Sequence, residues 1–136
     1  MSRRTLYLDS SALVKLIRDE AETEALEAEI GDERIATSLV GSIELRRALE
    51  REPQEGTAAA RWAYLHERLD VIAVTRATGE QAGTVPPPLL RTLDAIHLAT
   101  ALVLKPELDA FVVYDRRLAA AAAALGLPVS SPGAAA

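Results

Sequence analysis

The chain contains no cysteine, so neither a disulfide framework nor a thiolate metal site is available to it. Aromatic residues are scarce at 4%. The 49% hydrophobic share is instead carried mostly by Ala and Leu, which favours closely packed helices over an aromatic-rich barrel. No apolar run approaches the roughly 18 residues of a membrane span. The opening MSRRTLYLDSSALVKLIRDE has two arginines and a short apolar stretch, but Asp9 and Lys15 interrupt it and no cleavage site follows. The expectation is a soluble cytoplasmic protein with no membrane partner. Any metal must then be held by oxygen or by the two histidines, His66 and His97.

What is present suits one small domain. A chain of 136 residues can bury roughly two-thirds of its unfolded surface. We expect a single domain over residues 1–131 and a flexible tail over 132–136. The net charge of −5 sits awkwardly with a nucleic-acid partner, which usually demands a basic footprint. The distribution softens that objection. Eight acids crowd between Asp19 and Glu33, a stretch without Lys or Arg, while cations gather at Arg3/Arg4, Arg46/Arg47/Arg51 and Arg116/Arg117. Thirteen of the fifteen cations are Arg, the side chain better shaped for forked phosphate contacts.

Periodicity and punctuation divide the chain into alternating elements. Strands are predicted at residues 4–8, 34–37, 71–74, 110–113 and 127–129. Helices fill the intervals: one capped by Ser10 or Ser11 and running to Ile17, then 22–30 stopped by Gly31. A third is capped by Ser38 and runs to about Glu50; the next spans 57–69 with Ala60, Tyr64 and Trp62 turned inward. A short helix starts at Thr75, and two more cover 92–104 and 116–125, the last closed by Gly126. TVPPPLL must be a loop, because consecutive prolines cannot sit inside a helix. Strands separated by helices imply an α/β fold, with right-handed crossovers and a parallel sheet covered on both faces. Ligands bind such sheets beyond the carboxyl ends of the strands. Asp9 and Asp115 both stand where strands end.

Four acids stand out, each with a plainer use beside the chemical one. Asp9 and Asp115 can simply cap helices. Glu44 shares its helix face with Val40 and Ala48, so its charge needs a partner, either Arg47 or a cation in a cleft. Asp94 can favour the macrodipole of an oily helix, with His97 three residues on and within its reach. His97 itself reads first as a satisfied core residue. Together, however, four carboxylates on one α/β domain repel strongly unless a cation neutralises them; two unit charges about 4 Å apart cost about 4 kcal/mol at an effective dielectric near 20. Hard cations such as Mg²⁺ or Mn²⁺ choose carboxylate oxygen.

The strings YLDSSALVKLI, TSLVGSIELRRAL, LRTLDAIHLATAL and FVVYDRRLAAAAAALGLPV resemble, in order, the motifs of PIN-domain proteins. The nearest likeness is to the VapC-type toxin ribonucleases of bacterial toxin–antitoxin pairs, over about residues 6–129. That resemblance implies a three-layer α/β/α sandwich around a mainly parallel sheet. It also implies metal-dependent endoribonuclease chemistry, with hydrolysis of RNA phosphodiesters leaving a 5′-phosphate and a 3′-hydroxyl. The family's acids map onto Asp9, Glu44, Asp94 and Asp115 as catalytic residues and metal ligands for Mg²⁺ or Mn²⁺, with Ser10 as the supporting hydroxyl. Arg116 and Arg117 become candidates for RNA phosphate contacts. A cognate antitoxin inserting a basic side chain into the cleft is implied as partner, together with a homodimer or toxin–antitoxin hetero-oligomer. The chain departs from the pattern at Val113, where relatives often carry a hydroxyl. A hydrogen bond supporting Asp115 is therefore expected to be missing.

Rival readings make different demands. An aspartyl-nucleophile phosphatase wants a second Asp two residues after the first, where this chain has Ser11. A phospho-receiver domain needs an early acidic pair and a late lysine, and neither is visible. A non-catalytic PIN-like binding module remains the alternative that dispenses with chemistry.

Overall fold

The computed structural model describes residues 3–135; Met1 and Ser2 of the expected domain and Ala136 of the expected tail lie outside the described residues. Five strands, β1 (Thr5–Leu8), β2 (Arg34–Ser38), β3 (Leu69–Ile72), β4 (Ala110–Val112) and β5 (Val129–Ser130), form one sheet in the order β3-β2-β1-β4-β5. Every pairing is parallel. The helices are α1 (Ser10–Ile17), α2 (Thr23–Ile30), α3 (Leu39–Leu49), α4 (Ala58–Arg68), α5 (Arg76–Ala82), α6 (Thr92–Leu104) and α7 (Arg116–Ala124).

Alternation along the strands separates two cores. Successive strand side chains point to opposite faces. Leu6, Leu8, Ile35, Ala110 and Val112 therefore pack on one side with α1 to α4, alongside Leu13, Leu26, Leu45 and Leu65. Tyr7, Ala36, Phe111 and Val113 face the other way, against Leu98 and Leu104 of α6 and Leu118 of α7. All four residues of β1 are buried, as a central parallel strand covered on both faces requires. This is the expected α/β/α sandwich.

The predicted elements occur in the predicted order, with local differences. β3 begins at Leu69, two residues earlier than expected, because α4 stops at Arg68. β5 starts at Val129 rather than Leu127, since the buried Leu127 is spent closing α7. There Gly126 takes φ +82°, and the Leu127 amide turns back to the Ala122 carbonyl. On α4 the inward residues are Ala58 and Leu65, not Ala60 and Tyr64, and Tyr64 is largely exposed. Leucine wins the interior face because it carries no polar atom that must reach water. Of the residues expected to form a tail, Pro132 accepts a hydrogen bond from the Tyr114 hydroxyl at 2.7 Å.

The sheet order places the site. From β1 the chain moves outward through β2 to β3, then returns across the sheet to β4 on the other side of β1. The connections diverge between β1 and β4, the kind of switch point where parallel sheets open a crevice at their carboxyl ends. α1, α3 and α7 follow parallel strands directly or within a few residues, and α6 runs back to feed β4. Their amino-terminal ends, positive by the helix dipole, are gathered at this edge.

Candidate active site

Asp9 leaves β1 and caps α1: its Oδ1 accepts from the Ala12 amide at 3.1 Å. The cap is thus Asp9 itself, not Ser10 or Ser11. Asp115 caps α7 in the same way, with Oδ1 accepting from the Leu118 amide at 2.9 Å. Asp94 lies in the first turn of α6 and Glu44 in the second turn of α3. These four acids come from four different elements, and all line one open cleft of about 490 Å³ at the carboxyl end of the sheet. Two of them do serve as helix caps, so the plainer use is real. It spends one oxygen of each and does not turn them away from one another.

Each acid is tied differently. Asp9 is 2% exposed. Burial pushes its carboxyl up to about 6, against the opposing pull of the Ser11 hydroxyl and the Ala12 amide; the nearby Asp94 charge adds to the rise. The Ser11 hydroxyl donates to Asp9 Oδ1 at 2.6 Å and accepts from the Tyr114 amide at 3.0 Å, which pins the end of β1 to the end of β4. Glu44 does not pair with Arg47. Its Oε1 stands 2.8 Å from His97 Nε2, so His97 reaches Glu44 and not Asp94. The other ring nitrogen, Nδ1, is 2.7 Å from Tyr7 Oη, so both nitrogens are taken by partners outside α6. Arg91 spans the last two acids, with Nε 3.3 Å from Asp94 Oδ2 and Nη2 3.5 Å from Asp115 Oδ2.

Lys15, Arg18, Arg51 and Arg91 share the cleft with the acids, so a basic rim exists in an acidic chain. Of the basic clusters read from the sequence, only Arg51 is among its members. Arg117 instead lines an apolar groove with Pro86, Pro87 and Leu89, and Arg116 is exposed; neither lines the acid cleft. Ser10 does line it, yet Ser11 makes the bond to Asp9. Val113 is wholly buried in the second core and offers Asp115 no hydrogen bond from its side chain.

A family model described as PIN domain matches residues 6–124. The chain belongs to the PIN-domain family. Ribonuclease VapC47 of Mycobacterium tuberculosis is 44% identical over 135 residues, covering 95% of this chain and 98% of that protein. Ribonuclease VapC35 of the same species is 44% identical over 134 residues, covering 94% and 97%. Ribonuclease VapC46 is 40% identical over 129 residues, covering 93% and 97%. In structure, this PIN domain superposes on VapBC2 from Rickettsia felis, bound to a DNA fragment from its promoter, with a TM-score of 0.69 at 12% identity, covering 94% and 98%. FitAB bound to an IR36 DNA fragment matches with a TM-score of 0.65 at 13% identity, covering 96% and 97%. Identities that low establish the shared fold alone.

The donor set of the PIN domain suits a hard cation by its chemistry. Among the described residues, Asp9 Oδ2, Glu44 Oε2 and Asp94 Oδ1 receive no hydrogen bond, although their partner oxygens do. Also among the described residues, no three His, Asp or Glu side chains stand close enough together to hold an ion as they are placed. The Arg91 guanidinium is the positive charge that lies between Asp94 and Asp115. Sequence reasoning passed over Arg91, Ser11 and the Tyr7–His97 pair. Only Ser11 carried a signal, as a hydroxyl two residues past a capping Asp, placed to bond back to it.

Proposed function

We propose that this PIN domain is an endoribonuclease that hydrolyses RNA phosphodiester bonds with the help of Mg²⁺ or Mn²⁺, and that it is the toxin of a toxin–antitoxin pair. One observation carries the reading. In a chain 44% identical to VapC ribonucleases, Asp9, Glu44, Asp94 and Asp115 converge from four elements on one cleft. Asp9, Asp94 and Glu44 are the principal ligands in this reading, and Asp115 completes the set or orients water. A bound divalent cation supplies Lewis-acid stabilisation of the phosphate and lowers the pKa of water.

The chain's own groups do the rest. Ser11 and the Ala12 amide hold Asp9 through Oδ1, which leaves Oδ2 without a hydrogen bond among the described residues, and His97 does the same for Glu44. Lys15, Arg18 and Arg51 stand on the rim where an RNA backbone would lie. Of these, only Arg51 makes no ion pair among the described residues. Such contacts position a nucleic acid without reading its sequence. A cognate antitoxin fits the same cleft by offering a basic side chain to the acids, as Arg91 does within the chain. Homodimerisation belongs to this reading through the VapC likeness. Placement in the cytoplasm is compatible with the absence, among the described residues, of any helix long and apolar enough to cross a membrane.

The test is cleavage of single-stranded RNA with Mn²⁺ or Mg²⁺, and its loss in Asp94→Ala. Asp94 is on the edge of its helix and caps nothing, so the variant should keep its circular dichroism. Removal of one ligand should cut the rate at least a hundredfold, because second-sphere changes alone cost about 10- to 100-fold. Equal cleavage by both proteins would overturn the role given to Asp94, and no cleavage by the parent would leave the binding-module alternative.

A further inference from the structure

Behind Glu44 lies a buried polar chain that the caps and the rim do not account for. Tyr7 on β1 and His97 on α6 are both fully buried. Tyr7 Oη is 2.7 Å from His97 Nδ1, and Oη also accepts the Ser38 amide proton at 3.2 Å. His97 Nε2 is 2.8 Å from Glu44 Oε1. Glu44 is only partly buried, with a side-chain exposure of 26%. The chain thus begins on the backbone at the end of β2 and ends on a carboxylate at the cleft wall.

Counting protons fixes its direction. The Ser38 amide can only donate, so Tyr7 Oη accepts there and keeps its own proton to give. Two other buried hydroxyls, those of Thr37 and Ser38, also lie beside the phenol, so the far end of the chain has to decide where its proton goes. The Glu44 carboxylate can only accept, so Nε2, 2.8 Å from its Oε1, is the nitrogen that donates, and in the neutral ring Nδ1 is left to accept the phenol proton. A ring nitrogen that accepts carries no proton in the neutral imidazole, so the single N–H is on Nε2. We infer that His97 is a positioning residue for Glu44: Tyr7, by donating to Nδ1, holds the ring as the Nε2–H tautomer, and that N–H fixes Glu44 Oε1 and leaves Oε2 for the cleft. The inference rests on the ribonuclease reading for what Glu44 does there, but not for the hydrogen-bond wiring.

The surroundings are built around this chain. The Tyr7 ring stacks on Phe111 at 5.4 Å with an interplanar angle of 12°, and meets His97 edge-on at 5.8 Å and 79°. On the other flank is Gly41 of α3. A Cβ added there would lie 2.1 Å from Thr37 Oγ1 and 3.0 Å from His97 Cε1. An ordinary helical residue would push the imidazole off its line, so the glycine is what lets α3 and α6 approach this closely. A histidine serving only as core filler would need neither an aligned phenol on one nitrogen nor a cleft carboxylate on the other.

The experiment reads the wiring first and its consequence second. Long-range proton–nitrogen NMR spectra of the full chain labelled at histidine nitrogens, with His66→Gln for assignment, should show His97 protonated on Nε2 alone. Tyr7→Phe keeps the ring that stacks on Phe111 and removes only the hydroxyl. It should weaken Mn²⁺ binding by calorimetry about tenfold, the lower end of what outer-sphere partners supply. It should lower kcat for RNA by a similar factor with KM unchanged. His97→Gln can still donate to Glu44 from its amide nitrogen and should restore Mn²⁺ affinity to within a few-fold, whereas His97→Met should not. A wild-type ring protonated on Nδ1 or on both nitrogens, unchanged Mn²⁺ affinity in Tyr7→Phe, or full affinity in His97→Met would each overturn the inference. A wild-type chain that binds no Mn²⁺ and cleaves no RNA defeats the ribonuclease reading instead, and the tautomer spectrum still decides the wiring.

Discussion

The two walls of the cleft are made differently. On one side Asp9 and Glu44 are held by short bonds, from the half-buried Ser11 hydroxyl at 2.6 Å and from the fully buried His97 ring nitrogen at 2.8 Å. On the other, Asp94 and Asp115 are joined by Arg91, with contacts of 3.3 and 3.5 Å from a side chain that is 74% exposed. A buried, satisfied network loses little further freedom when it takes a ligand, whereas an exposed ion pair is worth little and yields easily. The comparison separates a preset wall from an adjustable one. Preset oxygens are the economical arrangement where geometry must be held within fractions of an ångström. An adjustable pair suits the side where substrate and ion enter.

The largest test of the preset wall is its cost. A carboxyl raised from 3.8 to about 6 by burial binds its proton more tightly in the folded chain than in the unfolded one. Below pH 3.8 the group is protonated in both states and costs nothing. As pH rises from 3.8 to about 6 only the unfolded state ionises, so stability falls. Above 6 the full deficit persists, on the order of 3 kcal/mol at about 1.4 kcal/mol per pKa unit. Asp9→Asn keeps the oxygen that accepts from Ser11 and Ala12 and removes the charge. In urea denaturation with a chelator present, the variant should match the parent near pH 4 and exceed it progressively up to pH 6–7. A difference independent of pH would mean that the carboxyl of the folded chain titrates as an ordinary one.

A smaller effect is expected from behind the same wall. Gly41→Ala forces a Cβ against Thr37 and His97, both fully buried and unable to retreat. Overpacking of this kind costs about 1–3 kcal/mol. Gly79 on α5 is the internal control, since nothing lies within 4 Å of its added Cβ. There, in an exposed helix, the same substitution should stabilise by up to about 1 kcal/mol. Chemical denaturation of both variants should give opposite signs. Matching signs would remove the claim that the approach of α3 to His97 is tight.

The contrast between the walls also explains what could be read from the chain alone. Strand alternation, turn residues and the acids at strand ends are local, and they sufficed for the parallel sheet and for Asp9 and Asp115 at its carboxyl end; Glu44 and Asp94, inside helices, were singled out by their apolar faces and by the family's motifs. Even the doubled use of Asp9 as cap and cleft acid is visible in LDSSALVKLI. The partners of those acids are not local. Tyr7 and His97 are 90 positions apart, and Glu44 and His97 are 53 apart; they meet only because α6 packs against both the sheet and α3. The rim failed for a similar reason. Arg116 and Arg117 follow Asp115 directly, yet each helix position turns by about 100°, which carries the two arginines about 100° and 200° round from it. The cations that do share the cleft, Lys15, Arg18, Arg51 and Arg91, come from the ends of other elements.

The adjustable wall has the smallest expected response, in the opposite direction to that of Tyr7→Phe. Arg91 and a divalent cation compete for the oxygens of Asp94 and Asp115, so removing the guanidinium should release them. An exposed pair contributes about 0.2–1 kcal/mol, which is equivalent to a change of up to roughly fivefold in affinity. Arg91→Gln should therefore tighten Mn²⁺ binding two- to fivefold by calorimetry at low salt. The gain should shrink as ionic strength rises, because exposed charges are screened over about 10 Å at 0.1 M. The same variant should raise KM for RNA, since it loses one positive group from the rim. Weaker Mn²⁺ binding in Arg91→Gln would show that the arginine organises the two acids for the ion. The cleft would then have two preset walls and no adjustable one.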